Sequence, residues 1–295
     1  MFLRRFWVRR TWGIHLLLAF LAGSLTAGLS ACSSPEPSEQ KKLVVGVVSY
    51  GDGQQSIERF DDVKTQLESE LKTIVELEPA FNEVQALQQI ERQAWDVVFA
   101  PPGLAAIAIS QKQYLPLLSQ SGGEKERSIL VVRADSPIRT IQDLANKVVG
   151  LGQRGSATGY YLPLYNLYGL TLAEIRFAPT PKTLLGWVNE GTIAAGALSI
   201  AELDRYRSDF GSTKFRVLHR DLRPVPAGSI LVGPTIERNA QQQVLKALEN
   251  VPAPVAAAAG YVSNASPPDY SYLIKVVKRV RPIAQRIREK PAPLY

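Results

Sequence analysis

From Lys42 onward the chain alternates short, β-branched apolar runs with amphipathic helical stretches, and it does so twice. Leu43-Val44-Val45-Gly46-Val47-Val48 has the length and branching of a buried strand. Ile57, Phe60, Val63, Leu67 and Leu71 recur at helical spacing and predict an amphipathic helix over 56–72. Strands are predicted at 73–77 and 96–100. Between them, Asn82 and Gln85 are spaced as a capping box, opening a helix that turns Val84, Leu87 and Ile90 inward. Pro101-Pro102-Gly103 stops the second of these strands, and an Ala/Ile-rich helix follows.

After Gly122-Gly123 the alternation restarts. Strands are predicted at 128–132, 148–152, 175–178, 194–198, 215–218 and 229–232, with helices near 158–168, 182–190 and 200–207. Parallel strands need a crossover, and helices are the usual one, so this pattern predicts an α/β chain of parallel sheets covered on both faces. Two series predict two doubly wound lobes. The expected boundaries are 43–125 with 232–295 for the first lobe and 126–231 for the second. Gly and Pro punctuation near 122–128 and 224–232 predicts a two-strand hinge with a cleft between the lobes.

Residues 1–31 read as an export signal. Arg4, Arg5, Arg9 and Arg10 form a positive start, Leu16–Ala22 an apolar centre, and Leu29-Ser30-Ala31-Cys32 resembles a bacterial lipobox. That reading makes Cys32, the only cysteine, the acylated N-terminus of an exported protein held on the periplasmic face of a membrane. The polar stretch up to residue 42 then serves as a flexible tether. Thr11 to Pro35 carries no charge, so an uncleaved membrane anchor is the alternative. Both place the body outside the cytoplasmic membrane.

Composition narrows the chemistry. The net charge of +7 includes the four leader arginines; without them thirty basic residues face 27 acidic ones. A balance of +3 is a poor footprint for nucleic acid. One Cys and two His leave no disulfide framework, no multi-cysteine metal site and little for a His-based proton relay. No catalytic role or cofactor is therefore expected, and His219 reads as an ordinary strand-end histidine. Leu273 to Lys290 carries seven basic residues and one acid beside an inward stripe of Val276, Val280, Ile283 and Ile287. It reads as a solvated helix face or as a contact for anionic lipid.

Gly150-Leu151-Gly152-Gln153-Arg154-Gly155 matches a dinucleotide fingerprint with Glu174 19 residues beyond Gly155. The acid, however, precedes its strand instead of ending it, at the wrong end for a ribose. Ser156-Ala157-Thr158-Gly159 offers hydroxyls and free N–H groups at a helix N-terminus, an arrangement that binds an anion or carboxylate. The same two hydroxyls serve equally as ordinary N-caps. Tyr161, Tyr165 and Tyr168 fall on one predicted helical face as packing surface.

Several stretches resemble the phosphate/phosphite/phosphonate-binding family of ABC-transporter substrate-binding lipoproteins, which have the type II periplasmic-binding-protein fold. These are Leu43–Tyr50, Gln85-Ala86-Leu87 with Trp95–Pro101, Ser136–Leu144, and above all Ser156–Pro163, similar to that family's S-x-[ST]-G-x-x-x-P loop. The resemblance spans roughly residues 43–250. It implies a monomeric receptor that captures a small oxyanion between its lobes and delivers it to an ABC permease; the alternatives are a sensor of the same fold that signals to a membrane partner and a binder of a different small anion. The implied ligand residues are Ser156, Ala157, Thr158 and Gly159, with Tyr50, Phe81 and Pro102 from the first lobe and Lys182 in place of a family histidine. Three positions depart from the family. Ala80-Phe81 replaces an aspartate–tyrosine pair, no histidine stands near Pro181, and Ala194 replaces an acidic residue.

Overall fold

The computed structural model describes residues 42–48, 55–122, 126–211 and 214–295. Cys32, Tyr50, the leader and the tether lie outside them. The first series runs β1 (Lys42–Val48), α1 (Gln55–Glu58), α2 (Asp61–Leu71), β2 (Ile74–Ala80), α3 (Glu83–Arg92), β3 (Val97–Ala100), α4 (Pro102–Lys112) and β4 (Leu115–Ser119). The chain then crosses to β5 (Ser128–Arg133), β6 (Val148–Leu151), a π-helical turn (Ala157–Tyr161) leading into α5 (Leu162–Asn166), β7 (Thr171–Leu172) and β8 (Glu174–Phe177). It continues through α6 (Pro181–Glu190), β9 (Ala195–Ser199), α7 (Ile200–Tyr206) and β10 (Phe215–Arg220). It returns as β11 (Ser229–Val232), α8 (Arg238–Glu249), α9 (Ala253–Ala258), α10 (Ser271–Val280) and β12 (Ala292–Pro293).

Two five-stranded sheets result, in the orders β2-β1-β3-β11-β4 and β10-β5-β9-β6-β8. Neither is purely parallel. β1 runs parallel to β2 and β3, and β6 parallel to β8 and β9. β11 is antiparallel to β3 and β4, and β5 antiparallel to β9 and β10. The reversed strands are the ones that arrive from the other lobe. They enter their sheet at the cleft end and must run away from it. The two crossings lie side by side, joined by Gln120 N–H to Gly228 O and Val225 N–H to Glu126 O.

Local sequence explains where elements start and stop. Asn82 accepts from Gln85 N–H, and the Gln85 side chain accepts from Phe81 N–H, fixing the start of α3. Its buried face is Ala86, Leu87 and Ile90, whereas Val84 is 41% exposed. Val84 sits in the first turn, beyond the edge of the stripe. The expected helix over 56–72 is broken at Arg59-Phe60 and ends at Lys72 in a left-handed conformation. Tyr161, Tyr165 and Tyr168 do not share a face. Leu162 N–H bonds Ala157 O, a five-residue spacing that rotates the later residues; Tyr161 is buried while Tyr165 and Tyr168 are exposed.

The lobe boundaries differ from the sequence expectation in two places. All of Ser229–Val232 belongs to the first sheet, so the return crossing ends before Ser229. The C-terminal tail does not stay with the first lobe: β12 pairs with β7, and Leu294 exchanges backbone bonds with Gly169 and Leu170. Helix α10 packs against both α4 and α5.

Candidate functional site

A cleft of about 810 Å³ lies between the sheets. The N-cap residues of five helical segments line it: Asn82, Pro101, Ser156, Thr180 and Ser199. Aligned peptide dipoles therefore bring partial positive charge to one cavity from both lobes. Four of these ends carry a side-chain cap. Asn82, Ser156, Thr180 and Ser199 accept from Gln85, Gly159, Thr183 and Glu202 N–H respectively. The fifth does not. Pro101 has no side-chain acceptor, and the Gly103 and Leu104 N–H groups find none among the described residues.

That open end faces the Ser156–Gly159 loop directly. A methyl placed on Gly103 would stand 2.0 Å from Gly155 O and 2.6 Å from Ala157 N, so only glycine permits the approach. Gly155 itself has φ +115°, a conformation that side chains rarely adopt. Ala157 and Thr158 N–H find no acceptor among the described residues, and the Thr158 side chain lines the cleft without a partner. Ser128 Oγ anchors the loop by donating to Thr158 O at 2.7 Å. Two helical starts thus meet; of the cleft-lining residues, Gly103, Ala157 and Thr158 bring N–H groups without an acceptor among the described residues, and Ser156 and Thr158 bring two hydroxyls.

Two of the three acids that line the cleft, Glu126 and Glu202, are engaged at the start of α7. Glu126 Oε1 accepts from Arg127, Ile200 and Ala201 N–H, occupying the start of α7. Glu202 completes a capping box with Ser199. Burial pushes the Glu202 carboxyl above the usual range, against the pull of its bonds to Ser199. Behind the loop, burial pushes the Tyr160 hydroxyl up to about 12. Gln153 donates to Pro179 O, and its own carbonyl is a buried acceptor without a partner.

Of the residues expected at the site, Ser156, Ala157, Thr158, Gly159, Phe81 and Pro102 all line this one cleft. Phe81 is half exposed there. Lys182 is not among the lining. It points from the first turn of α6 to Asp209, 2.7 Å away, and that ion pair raises its pKa. The Lys182 position is exposed on α6, where the nearest carboxylate captures its ammonium; Pro181 is the residue that reaches the cavity. Ala194 sits beside β6, bonded to Val148 O, outside the lining. Sequence reasoning missed the open start of α4, although a helix beginning Pro-Pro-Gly announces that no side chain caps it. It also missed Glu126, Gln153, Arg59 and Arg205, which reach the cleft through long-range folding that no local pattern marks.

Residues 45–261 match the family model described as "ABC transporter, phosphonate, periplasmic substrate-binding protein". The chain belongs to that family. It is a family of transporter substrate-binding proteins, not of enzymes, and its members work outside the cytoplasm. Among the described residues no helix is long and apolar enough to cross a membrane. No curated protein matches the chain in sequence. Solved structures share the fold. XAC2383 from Xanthomonas citri, bound to ATP, is 22% identical with a TM-score of 0.68, covering 82% of this chain and 98% of its own. PhnD1 from Prochlorococcus marinus, in complex with methylphosphonate, is 16% identical at 0.61, covering 82% and 98%. The PA3383 phosphonate-transporter component from Pseudomonas aeruginosa is 14% identical at 0.60, covering 84% and 88%.

Proposed function

We propose that the interlobe cleft captures a small phosphoryl oxyanion, of which a phosphonate is the type, for delivery to an ABC permease. The observation that carries the reading is the meeting of the uncapped start of α4 with the Ser156–Gly159 loop. Gly103, Ala157 and Thr158 N–H, with the Thr158 and Ser156 hydroxyls, offer donors from both lobes to one tetrahedral group. Bonds to a charged acceptor are about twice as strong as neutral ones. Because the donors come from both lobes, the anion also holds the cleft shut. Methylphosphonate in one relative and ATP in another share the phosphoryl group this site fits.

A thermal-shift series tests the ligand class. Methylphosphonate, phosphite or phosphate should raise the melting temperature in a concentration-dependent way, and acetate should not. A shift with carboxylates alone would overturn the reading. We propose also that the mature protein is carried on a lipid at Cys32, a reading that rests on the lipobox sequence. Cys32→Ala should release it from membranes into the soluble fraction; retention of that variant on membranes would favour an uncleaved anchor.

A further inference from the structure

The phosphoryl site uses only one end of a much larger cavity. A volume of about 810 Å³ is at the upper end of what drug-sized ligands occupy, not what a single tetrahedral ion needs. Two arginines line the remaining wall, one from each lobe, both with exposed side chains. Arg59 lies in the turn before α2, its guanidinium carbon 4.7 Å from the centre of the Phe60 ring. Arg205 lies on α7, 5.4 Å from the Tyr206 ring centre. Neither has a carboxylate partner among the described residues. Three acids also line the cavity, Glu83, Glu126 and Glu202; the carboxylates of Glu126 and Glu202 are already held by backbone N–H groups at the start of α7. Each arginine thus lies beside the ring of the residue that follows it, has no carboxylate partner among the described residues, and lines the one cavity from its own lobe.

We infer that the ligand is an organophosphoryl compound with a second anionic group, a carboxylate or another phosphoryl, which Arg59 and Arg205 clasp while its phosphoryl end sits at the Ser156–Gly159 loop. The inference rests on the phosphoryl reading above and adds the second charge and the organic spacer. A guanidinium fork suits a planar carboxylate or a phosphoryl group by paired N–H donors. The apolar wall between the two ends, including Phe81, Pro101 and Pro179, suits a carbon chain.

The test is calorimetric titration of the mature protein with ω-carboxyalkylphosphonates of two to six carbons, each against the alkylphosphonate of equal length. At one or more lengths the carboxylate should tighten binding about ten-fold or more. In the Arg59→Gln, Arg205→Gln double variant that ratio should collapse to about one. Alkylphosphonates binding as tightly as their carboxylated partners at every length would overturn the inference and leave the phosphoryl site standing. Equal losses for both series in the double variant would place the arginines on the phosphoryl group itself, and would also overturn it. Failure of every phosphonate, methylphosphonate included, would sink the phosphoryl reading along with it.

Discussion

Ser156 and Thr158 differ in what their hydroxyls already do. Ser156 accepts from Gly159 N–H at 3.0 Å, so it caps the helical run and has only its own proton left for a ligand. Thr158 has no such duty. Thr158→Val should weaken methylphosphonate binding about ten- to a hundred-fold, one lost bond to a charged group, with the ligand-free melting temperature unchanged. Ser156→Ala should in addition remove about 1 kcal/mol of stability as a lost cap. Calorimetry paired with denaturant unfolding separates the two; a Thr158→Val protein that melts lower yet binds as before would show the hydroxyl to be structural. At this scale the sequence was informative where the chemistry is local. Gly155–Gly159 announced both its turn and its donors within five residues. Lys182 was misplaced because its partner, Asp209, lies 27 positions away and only the fold brings them together.

At the scale of elements, the five helix starts around the cleft are one device used with different fillings. Side chains fill four, and the α4 start has no side-chain cap. The α7 start is the most heavily capped, and its Glu202 is held above the usual carboxylate range by burial. A raised folded-state value means the native protein binds the proton more tightly than the unfolded chain. Stability from this group is therefore greatest below the unfolded carboxylate range and falls as pH rises through the native value. Glu202→Gln keeps the capping box. Unfolding curves from pH 4 upward should show the variant gaining on the wild type as pH rises; parallel profiles would contradict the assignment. Most helices and strands were legible from period and capping residues. The π-helical turn at Ala157–Tyr161 was not, since its i→i+5 bond follows no sequence repeat and Gly159 packs there against Gly152, seven residues back.

For the whole molecule, the alternation of apolar runs foretold two βα series but not how the ends close. The reversed direction of β5 and β11 follows from the crossings. The pairing of β12 with β7, 120 residues apart, has no local signal. These long-range contacts hold the lobes as a set: Gly103 against Gly155, Arg154 beside Glu91 at 3.5 Å, and α10 lying on both α4 and α5. The Arg154–Glu91 pair is exposed and contributes little by itself. Buried residues such as Leu104, Ala157, Leu164 and Val276 pack in one continuous apolar core. Beside that core the donors of two lobes meet, and the account stands on what lies between them. The most direct measurement is a crystal structure of the mature protein grown with saturating methylphosphonate. The phosphonate group is expected between the start of α4 and the Ser156–Gly159 loop, its oxygens within about 3.2 Å of Gly103, Ala157 or Thr158 N–H and of the Thr158 hydroxyl. A phosphonate bound elsewhere in the cleft, with these N–H groups facing only water, would contradict it.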